Sequence, residues 1–378
     1  MHLTWRSVTY RIPGLRPHVG DLRKPYGVRV GSELARTSIR EVAKRAGVSV
    51  GTVSNVLNRP DLVAEATRTR VRSVIDELGF IRNESARRLR QGPADAGGRP
   101  VRGRTLGVVV GDIGDPRHSE LARGAEAAMH ADGFDALWCA GGGSADRESR
   151  CLDLLEEQRA SGVLITPTGL PAGRIARLQR RGMAVVLIDR TLAGLCSVRV
   201  DHIAGGELAV SHLLSRGHHR IALVTGAPEL ESCRQRRLGA ERTLHRATVQ
   251  ERRGRPGELL HVPRPAMTAT EGKLAARRLL ERATPPSAVF CANDLLAIGM
   301  VNELLRLGVK IPGEIAVVGY DDLELASTAA VPLTTVRLPL HELGWTAAEL
   351  ALNEIAQREE HRHRHLTLAP ELVVREST

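Results

Sequence analysis

Thr37-Ser-Ile-Arg-Glu-Val-Ala-Lys-Arg-Ala-Gly-Val-Ser-Val-Gly-Thr-Val-Ser-Asn-Val-Leu-Asn58 holds two helix starts with a sharp stop between them. Ser38 followed by Glu41 is a capping box, in which hydroxyl and carboxylate satisfy free N–H groups at a helix start. Ile39, Val42, Ala43 and Ala46 then share one helical face, and Gly47 ends the run. Ser49 caps a second helix that turns Val53, Val56 and Leu57 inward, and Asn58-Arg59-Pro60-Asp61 is a turn. A third helix is expected from about Ala64 to Leu78, with Val71, Ile75 and Leu78 apolar and Gly79 ending it. Three short helices with a tight glycine turn between the first two make a helix-turn-helix unit.

The charge on either side of this unit is uneven. Residues 1–103 carry 20 Lys and Arg against 9 Asp and Glu, a net of +11, and residues 104–378 carry 34 of each sign. A neutral body behind a basic N-terminal module is the layout of a nucleic-acid binder, because phosphate contacts supply most non-specific affinity. Charge alone does not separate this from a basic tail without a partner. At 378 residues, 42% hydrophobic and 26% charged, the chain has room for two or three domains and an ordinary globular composition. Cys139, Cys151, Cys196, Cys233 and Cys291 are widely spaced with no CxxC pair, which argues against a zinc module or a disulfide framework and suits a reducing cytoplasm. No apolar run reaches the ~18 residues of a membrane helix, and Met1 to Gly20 has no signal-type apolar core.

Residues 1–36 read as an irregular basic extension interrupted by Pro13, Pro17 and Pro25. They are expected to be poorly ordered and to lie upstream of the native translation start, which an N-terminal peptide from the native protein tests. Asn83 to Arg90 is a short helical segment, and Gln91-Gly92-Pro93 through Pro100 reads as a flexible linker. From Thr105 on, apolar runs of strand length alternate with amphipathic helices. Leu106–Val110, Ala136–Cys139, Gly162–Thr166 and Ala184–Asp189 form one series of strands; Ile221–Thr225, Ala288–Cys291 and Ile315–Gly319 form a second. Such alternation implies parallel sheets with helices on both faces, here in two lobes, with ligands at strand C-termini.

The segment 37–58 resembles the DNA-binding signature of the LacI/GalR family of bacterial transcription regulators. The likeness continues through Thr67-Arg68, Glu77-Leu78-Gly79-Phe80 and Ala86-Arg87-Arg88-Leu89. In the body it rests on Asp189-Arg190, Gly217-His218-His219-Arg220-Ile221, Ala292-Asn293-Asp294, Val318-Gly319-Tyr320-Asp321-Asp322 and Pro332-Leu333-Thr334-Thr335. It spans roughly residues 37–376 and is far more specific than any single motif.

The resemblance implies an all-α helix-turn-helix head (37–82), a hinge helix (83–91), a linker (92–104) and an α/β periplasmic-binding-protein-like body (105–378) of two doubly wound parallel-sheet lobes. The N-lobe is expected at about 105–200 and 339–360, and the C-lobe at about 201–337 and 366–378. Three crossings between lobes are expected, near Asp201, near Leu338 and within His361–His365. The implied function is that of a cytoplasmic homodimer, most simply a repressor of carbohydrate-related genes. It would bind a near-palindromic duplex operator, be relieved by a small ligand, and need no cofactor or membrane.

By the same resemblance Val50, Gly51 and Asn55 take the base-reading positions of a second helix laid in the major groove. Asn55 suits a bidentate pair with adenine, Val50 suits a thymine methyl, and Gly51 offers no side chain. Ser49, Thr52 and Ser54 are candidates for phosphate or base hydrogen bonds, with Ser49 also a helix cap. The hinge would fold where two copies meet on DNA, with Leu89 wedged between minor-groove steps and Arg87, Arg88 and Arg90 on phosphate. Arg82 stands where relatives usually carry a proline or a small residue, so the entry to the hinge is less stiff.

The implied effector cleft is lined by Asp115, Arg117, His118, Asp189, Arg190, Arg236, Asn293 and Asp294. Asp accepts from hydroxyls and Arg donates to oxygens, which suits a polyol. Asp189 and Asn293 read equally well as structural groups at strand ends, whereas Arg236 and Asp294 read as ligand contacts. Where relatives often carry Asn-Pro-Phe-Phe, this chain reads Asp115-Pro116-Arg117-His118, and it has only three each of Phe, Tyr and Trp. Stacking platforms are scarce, so a phosphosugar or sugar acid is as consistent as a neutral sugar.

His361-Arg-His-Arg-His365 has the look of a metal tract, but its arginines repel a cation, and it reads as a solvated connection between a helix and the last strand. Cys139 and Cys291 read as buried hydrophobes, and Gly141-Gly142-Gly143 as a loop. Two competing classes remain open. A solute-binding receptor on the same lobes has no use for a basic head, and a sugar-modifying enzyme needs a nucleophile or metal site that the spacing does not offer.

Overall fold

The computed structural model describes residues 38–80, 103–228, 230–250 and 257–378. Contacts divide the chain into a unit of residues 1–91 and a unit of residues 92–378. The expectations for residues 1–36, for the hinge with Arg87, Arg88, Leu89 and Arg90, and for the linker up to residue 102 lie outside the described residues.

The first unit is built from α1 (Ile39–Ala46), α2 (Val50–Asn58) and α3 (Glu65–Glu77). Ser38 Oγ accepts from Glu41 N, and the Glu41 carboxylate accepts from Ser38 N at 2.8 Å, so the capping box is formed at both ends. Gly47 closes α1 at φ 63°, a left-handed conformation that glycine adopts without a Cβ penalty. Val42, Ala43, Ala46, Val53, Val56, Val71 and Val74 form the core of the unit, with Leu57 and Phe80 packed against it. Arg45 and Glu77 tie α1 to α3 at 2.6 Å.

The second unit holds two six-stranded sheets. The first runs β11-β5-β4-β3-β1-β2, from β1 (Thr105–Val110), β2 (Asp135–Ala140), β3 (Gly162–Ile165), β4 (Ala184–Ile188), β5 (Cys196–Val200) and β11 (His365–Leu368). Every pairing in it is parallel. The second runs β12-β10-β9-β8-β6-β7, from β6 (Arg220–Thr225), β7 (Glu258–Pro263), β8 (Ala288–Cys291), β9 (Ala316–Asp321), β10 (Thr334–Arg337) and β12 (Glu371–Val373). It is parallel except at the edge, where β12 pairs antiparallel with β10. Strands covered by helices on both faces read as unbroken apolar runs; β4, Ala-Val-Val-Leu-Ile, is buried at every position.

The helices are α4 (Arg117–Ala131), α5 (Ala145–Glu157), α6 (Ala172–Arg180), α7 (His202–Ser215), α8 (Glu231–Gln250), α9 (Ala269–Leu280), α10 (Asp294–Arg306), α11 (Glu324–Ser327) and α12 (Leu340–Ala356). Close backbone approach sets their pairing. A Cβ on Gly124 of α4 would stand 1.9 Å from the His341 carbonyl oxygen, and one on Gly344 of α12 would stand 2.0 Å from that of Leu121. α7 and α8 meet through Gly206 and Gly239 in the same reciprocal way, and α9 and α10 through Gly272 and Gly299.

The chain passes from β5 to α7 at Asp201 and from β10 to α12 near Leu338. The third crossing is different. β11 belongs to the first sheet beside β5, and β12 to the second beside β10, so the chain crosses at Ala369-Pro370 and not within His361–His365. The histidine tract accordingly runs into β11, which begins at His365, and stays with the first lobe. Cys139, expected in the core, is only half buried, because β2 is the sheet's outer strand; Cys291 is fully buried.

Candidate functional sites: a reading helix and a charged cleft

On the first unit, α2 sorts its residues by face. Val53 and Val56 are buried, Gly51 and Asn55 are exposed, and Val50, Thr52 and Ser54 are half buried. Ser49 is the N-cap: its Oγ accepts from Thr52 N at 3.0 Å and lies 2.9 Å from Thr52 Oγ1. The N-terminus of α2 therefore presents Ser49 and Gly51 at the surface, with Asn55 one turn on, in the arrangement a helix needs to enter a groove with its first turn. The free N–H groups there favour a phosphate.

On the second unit, charged side chains converge from the C-terminal ends of strands in both sheets, where such folds bind ligands. Asp189 follows β4, Asp321 ends β9, and Asp115 and Arg117 lie just beyond β1. Arg117 donates to Asp115 through Nε at 3.0 Å and through NH2 at 2.6 Å, and its Nε lies 3.7 Å from Asp321 Oδ2. Arg236 of α8 is fully buried; its NH2 is 3.9 Å from Asp321 Oδ1, its NH1 donates to the Ala292 carbonyl, and its guanidinium lies 3.9 Å over the Tyr320 ring.

His202, the first residue of α7, completes this arrangement. Its Nδ1 lies 3.1 Å from Tyr320 Oη and 3.5 Å from Arg236 NH2. Arginine can only donate, so Nδ1 is the accepting nitrogen and Nε2 carries the proton, facing Asp189 Oδ2 at 3.8 Å. Burial, followed by the neighbouring Arg236 charge, holds His202 below its ordinary pKa and keeps the ring neutral.

Polar capacity in this cluster exceeds the hydrogen bonds it makes. Arg236 Nε, His202 Nε2 and both Asp321 carboxylate oxygens are buried without a hydrogen-bond partner. Burial pushes Asp321 up to about 6, against the pull of Arg117 and Arg236. Asp189 runs the other way: against the upward push of its burial, His202 at 3.8 Å, a hydrogen bond from Val200 N at 3.1 Å and the Arg117 charge hold it low. Asp189 at φ 54° and Asp321 at φ 112° both take left-handed backbone, a conformation that costs about 1–3 kcal/mol and persists where surrounding structure enforces it.

The expected residues divide accordingly. Asp115, Arg117, Asp189 and Arg236 are brought together. His118 Nδ1–H donates to the Asp112 carbonyl at 2.5 Å beside them, and Arg190 donates to the Leu170 carbonyl at 3.3 Å. Asn293 is a helix cap, accepting from Leu296 N at 2.9 Å and donating to the Met267 carbonyl at 3.1 Å. Asp294, read from sequence as a ligand contact, is instead an interior tie. Its Oδ1 accepts from Thr335 Oγ1 at 2.6 Å, its Oδ2 accepts from Leu323 N at 2.8 Å, and it is fully buried. Burial, reinforced by Asp321, pushes its pKa up to about 8. The sequence reading passed over Asp321, Tyr320 and His202 as site residues. Tyr320 and Asp321 continue an apolar strand just as Asp189 follows one, and that shared position is the available signal.

A bipartite chain with a groove-fitting three-helix head and a clamshell body lined with ligand-seeking charges is a ligand-responsive DNA-binding regulator by class. The family models agree with both parts. Residues 38–83 match bacterial regulatory proteins of the lacI family, and residues 210–378 match a periplasmic binding protein-like domain. The chain is 30% identical over 346 residues to the HTH-type transcriptional repressor PurR of Aliivibrio salmonicida, covering 90% of this chain and 98% of that one. It is 32% identical to PurR of Vibrio atlanticus, covering 89% and 97%. The lac repressor dimer bound to operator and an anti-inducer superposes with TM-score 0.74 at 25% identity, covering 90% and 98%. A complex of the transcriptional regulator CelR with cellobiose superposes with TM-score 0.63 at 30% identity, covering 91% and 100%. The chain belongs to the lacI family: it is a DNA-binding transcription regulator rather than an enzyme. No described helix is long and apolar enough to cross a membrane.

Proposed function

We propose that the chain is a cytoplasmic repressor that binds a near-palindromic operator as a homodimer and is controlled by a small polyhydroxylated ligand: a sugar, phosphosugar or sugar acid. The carrying observation is the buried Arg236–Asp321–Arg117 chain with its unused donors and acceptors. Carboxylates accept from hydroxyls, and guanidinium groups donate to ring and hydroxyl oxygens. Asn55, Val50 and Gly51 face bases, Ser49, Thr52 and Ser54 face bases or phosphate, and the segment 83–91 carries Leu89 as a minor-groove wedge with Arg87 and Arg88 on phosphate. Ligand binding biases the lobes between open and closed states, with a reciprocal coupling to DNA of about 1–3 kcal/mol.

A purine base is the second reading, favoured by the similarity to repressors named PurR. A planar base gains most from a stacking face, whereas Tyr320 is fully buried beneath Arg236. This cleft therefore suits hydroxyls better than a flat ring.

The test is a thermal-shift screen of sugars, phosphosugars, sugar acids and purine bases, followed by a gel shift on the gene's own upstream DNA with each hit. A stabilising polyol that alters a sequence-selective shift supports the reading. Stabilisation by purine bases alone replaces the ligand class, and the lack of any sequence-selective shift removes the regulator's mode of action. In the same assay Leu89→Ala is expected to lose operator affinity with the fold intact, and unchanged affinity at fixed salt removes the wedge.

A further inference from the structure

The histidine tract meets a buried thiol and a buried carboxylate at the end of the first sheet remote from the cleft. Cys196 begins β5, about 13 Å along that strand from Val200 near the Asp189 cluster. We propose that Cys196, Glu354, His361 and His363 form a binding site for a divalent transition-metal ion of the zinc type, separate from the effector cleft.

One sulfur, one carboxylate oxygen and two imidazole nitrogens, one atom from each residue, all lie within 4.8 Å of one another. Cys196 Sγ is 3.2 Å from His361 Nε2 and 3.7 Å from His363 Nδ1. Tetrahedral zinc with sulfur, nitrogen and oxygen ligands holds its donor atoms roughly 3.3–3.8 Å apart, so the widest pair must close by about 1 Å. Thiolate and carboxylate together carry two negative charges, which balance a divalent ion between neutral imidazoles. The thiol proton leaves to solvent on binding.

Two observations point to a ligand and not merely to a polar cluster. Glu354 is 5% exposed, and its Oε2 is buried without a hydrogen-bond partner. Burying a carboxylate oxygen without a hydrogen bond is costly, and the nearby Arg358 charge offsets that cost only in part. The second observation is orientation. His361 Nδ1–H donates to Asn353 Oδ1 at 2.8 Å, leaving the Nε2 lone pair facing the sulfur, as outer partners do for metal-bound histidines. Arg364 N–H donates to Cys196 Sγ at 3.4 Å.

The sequence argument against a metal relied on the interleaved arginines. In extended chain, side chains alternate. His361 and His363 reach Cys196 of β5 and His365 reaches Ser197 Oγ at 2.9 Å; His363 and His365 are exposed, as Arg362 and Arg364 are. His363 asks for a rearrangement at Gln179, whose amide nitrogen also donates to the Gly194 carbonyl at 2.7 Å and would give up that bond. The His363 Nε2 now faces the Gln179 amide nitrogen at 3.1 Å, so ligation through Nδ1 requires that amide to turn and accept from Nε2–H. A bound ion would pin the connection after α12 to the start of β5.

The test uses the full-length protein, stripped with chelator and titrated with zinc alone and with cobalt(II) as a spectroscopic probe. The expected result is one equivalent bound tightly, with visible bands of tetrahedral cobalt and a sulfur-to-cobalt charge-transfer band that Cys196→Ser removes. Asn353→Ala is expected to weaken binding about 10–100-fold without removing a ligand. His363→Gln, at an exposed position, is expected to weaken it even if the cysteine variant folds poorly. Cys139→Ser with Cys151→Ser should leave the spectrum unchanged. A spectrum with no sulfur band, or one that survives both Cys196→Ser and His363→Gln, overturns the site.

Discussion

The reading helix and the cleft use polar side chains in opposite ways. On α2 the polar residues Ser49 and Asn55 are exposed, and the apolar Val53 and Val56 are inside. In the cleft Arg236, Asp321 and His202 are inside, at 0, 2 and 3% exposure, and hold one another. The first surface can lose a side chain and keep its fold. The second couples recognition to stability, because each charge is the counter-ion of another.

The largest break in this contrast is expected at Arg236. Arg236→Met leaves Asp321 buried with only the 3.7 Å contact to Arg117 and should cost about 3–5 kcal/mol in denaturant unfolding, together with the ligand response. Adding Asp321→Asn should restore much of the stability and none of the response. Recovery of the response in the double variant would show that the pair is only structural. Asn55→Ala should remove about 1–3 kcal/mol of discrimination between operator and scrambled duplex, measured at one salt concentration, and leave thermal unfolding of the body in place.

Asp294 sharpens the contrast through pH. A carboxyl whose folded pKa is raised binds more protons folded than unfolded, so its contribution to stability falls as pH rises from about 4 to about 8. Asp294→Asn should flatten that slope by about 3–4 kcal/mol between urea titrations at pH 5 and pH 8. An unchanged slope would place the titration elsewhere. The smallest effect is expected at Ser49, where Ser49→Ala should cost the head about 1 kcal/mol as a lost cap. It should also reduce DNA affinity by more than the lost stability explains, since the hydroxyl and the helix N-terminus face the same way.

The same contrast explains what could be read in advance. The head was legible because a helix fixes neighbours by local spacing: Ser38 with Glu41, Ser49 with Thr52, and Val53 with Val56 all lie within one turn. The alternating body was legible where strands are continuous apolar runs. β5, Cys-Ser-Val-Arg-Val, was passed over because it mixes polar and apolar residues, and β11 and β12 were read only as one last strand because they are short edge strands set by partners far away in sequence. The cleft was half legible. Asp189 and Arg236 were found, but nothing local says that Asp294 turns inward to Thr335 and Leu323 while Asp321 faces two arginines. The histidine tract was noticed and discounted as a metal site because Cys196 lies some 160 residues before it, and the two meet only through the pairing of β11 with β5.

The most direct measurement is anisotropy of a labelled upstream operator duplex bound by the full-length protein at fixed salt, in competition with a scrambled duplex and with the stabilising cleft ligand present or absent. The account predicts a clear preference for the operator, a ligand-dependent change in that preference of about 5–150-fold, and loss of the change, but not of the preference, in the Arg236→Met, Asp321→Asn variant. Equal binding to both duplexes, weakening only as ionic strength rises, would contradict it.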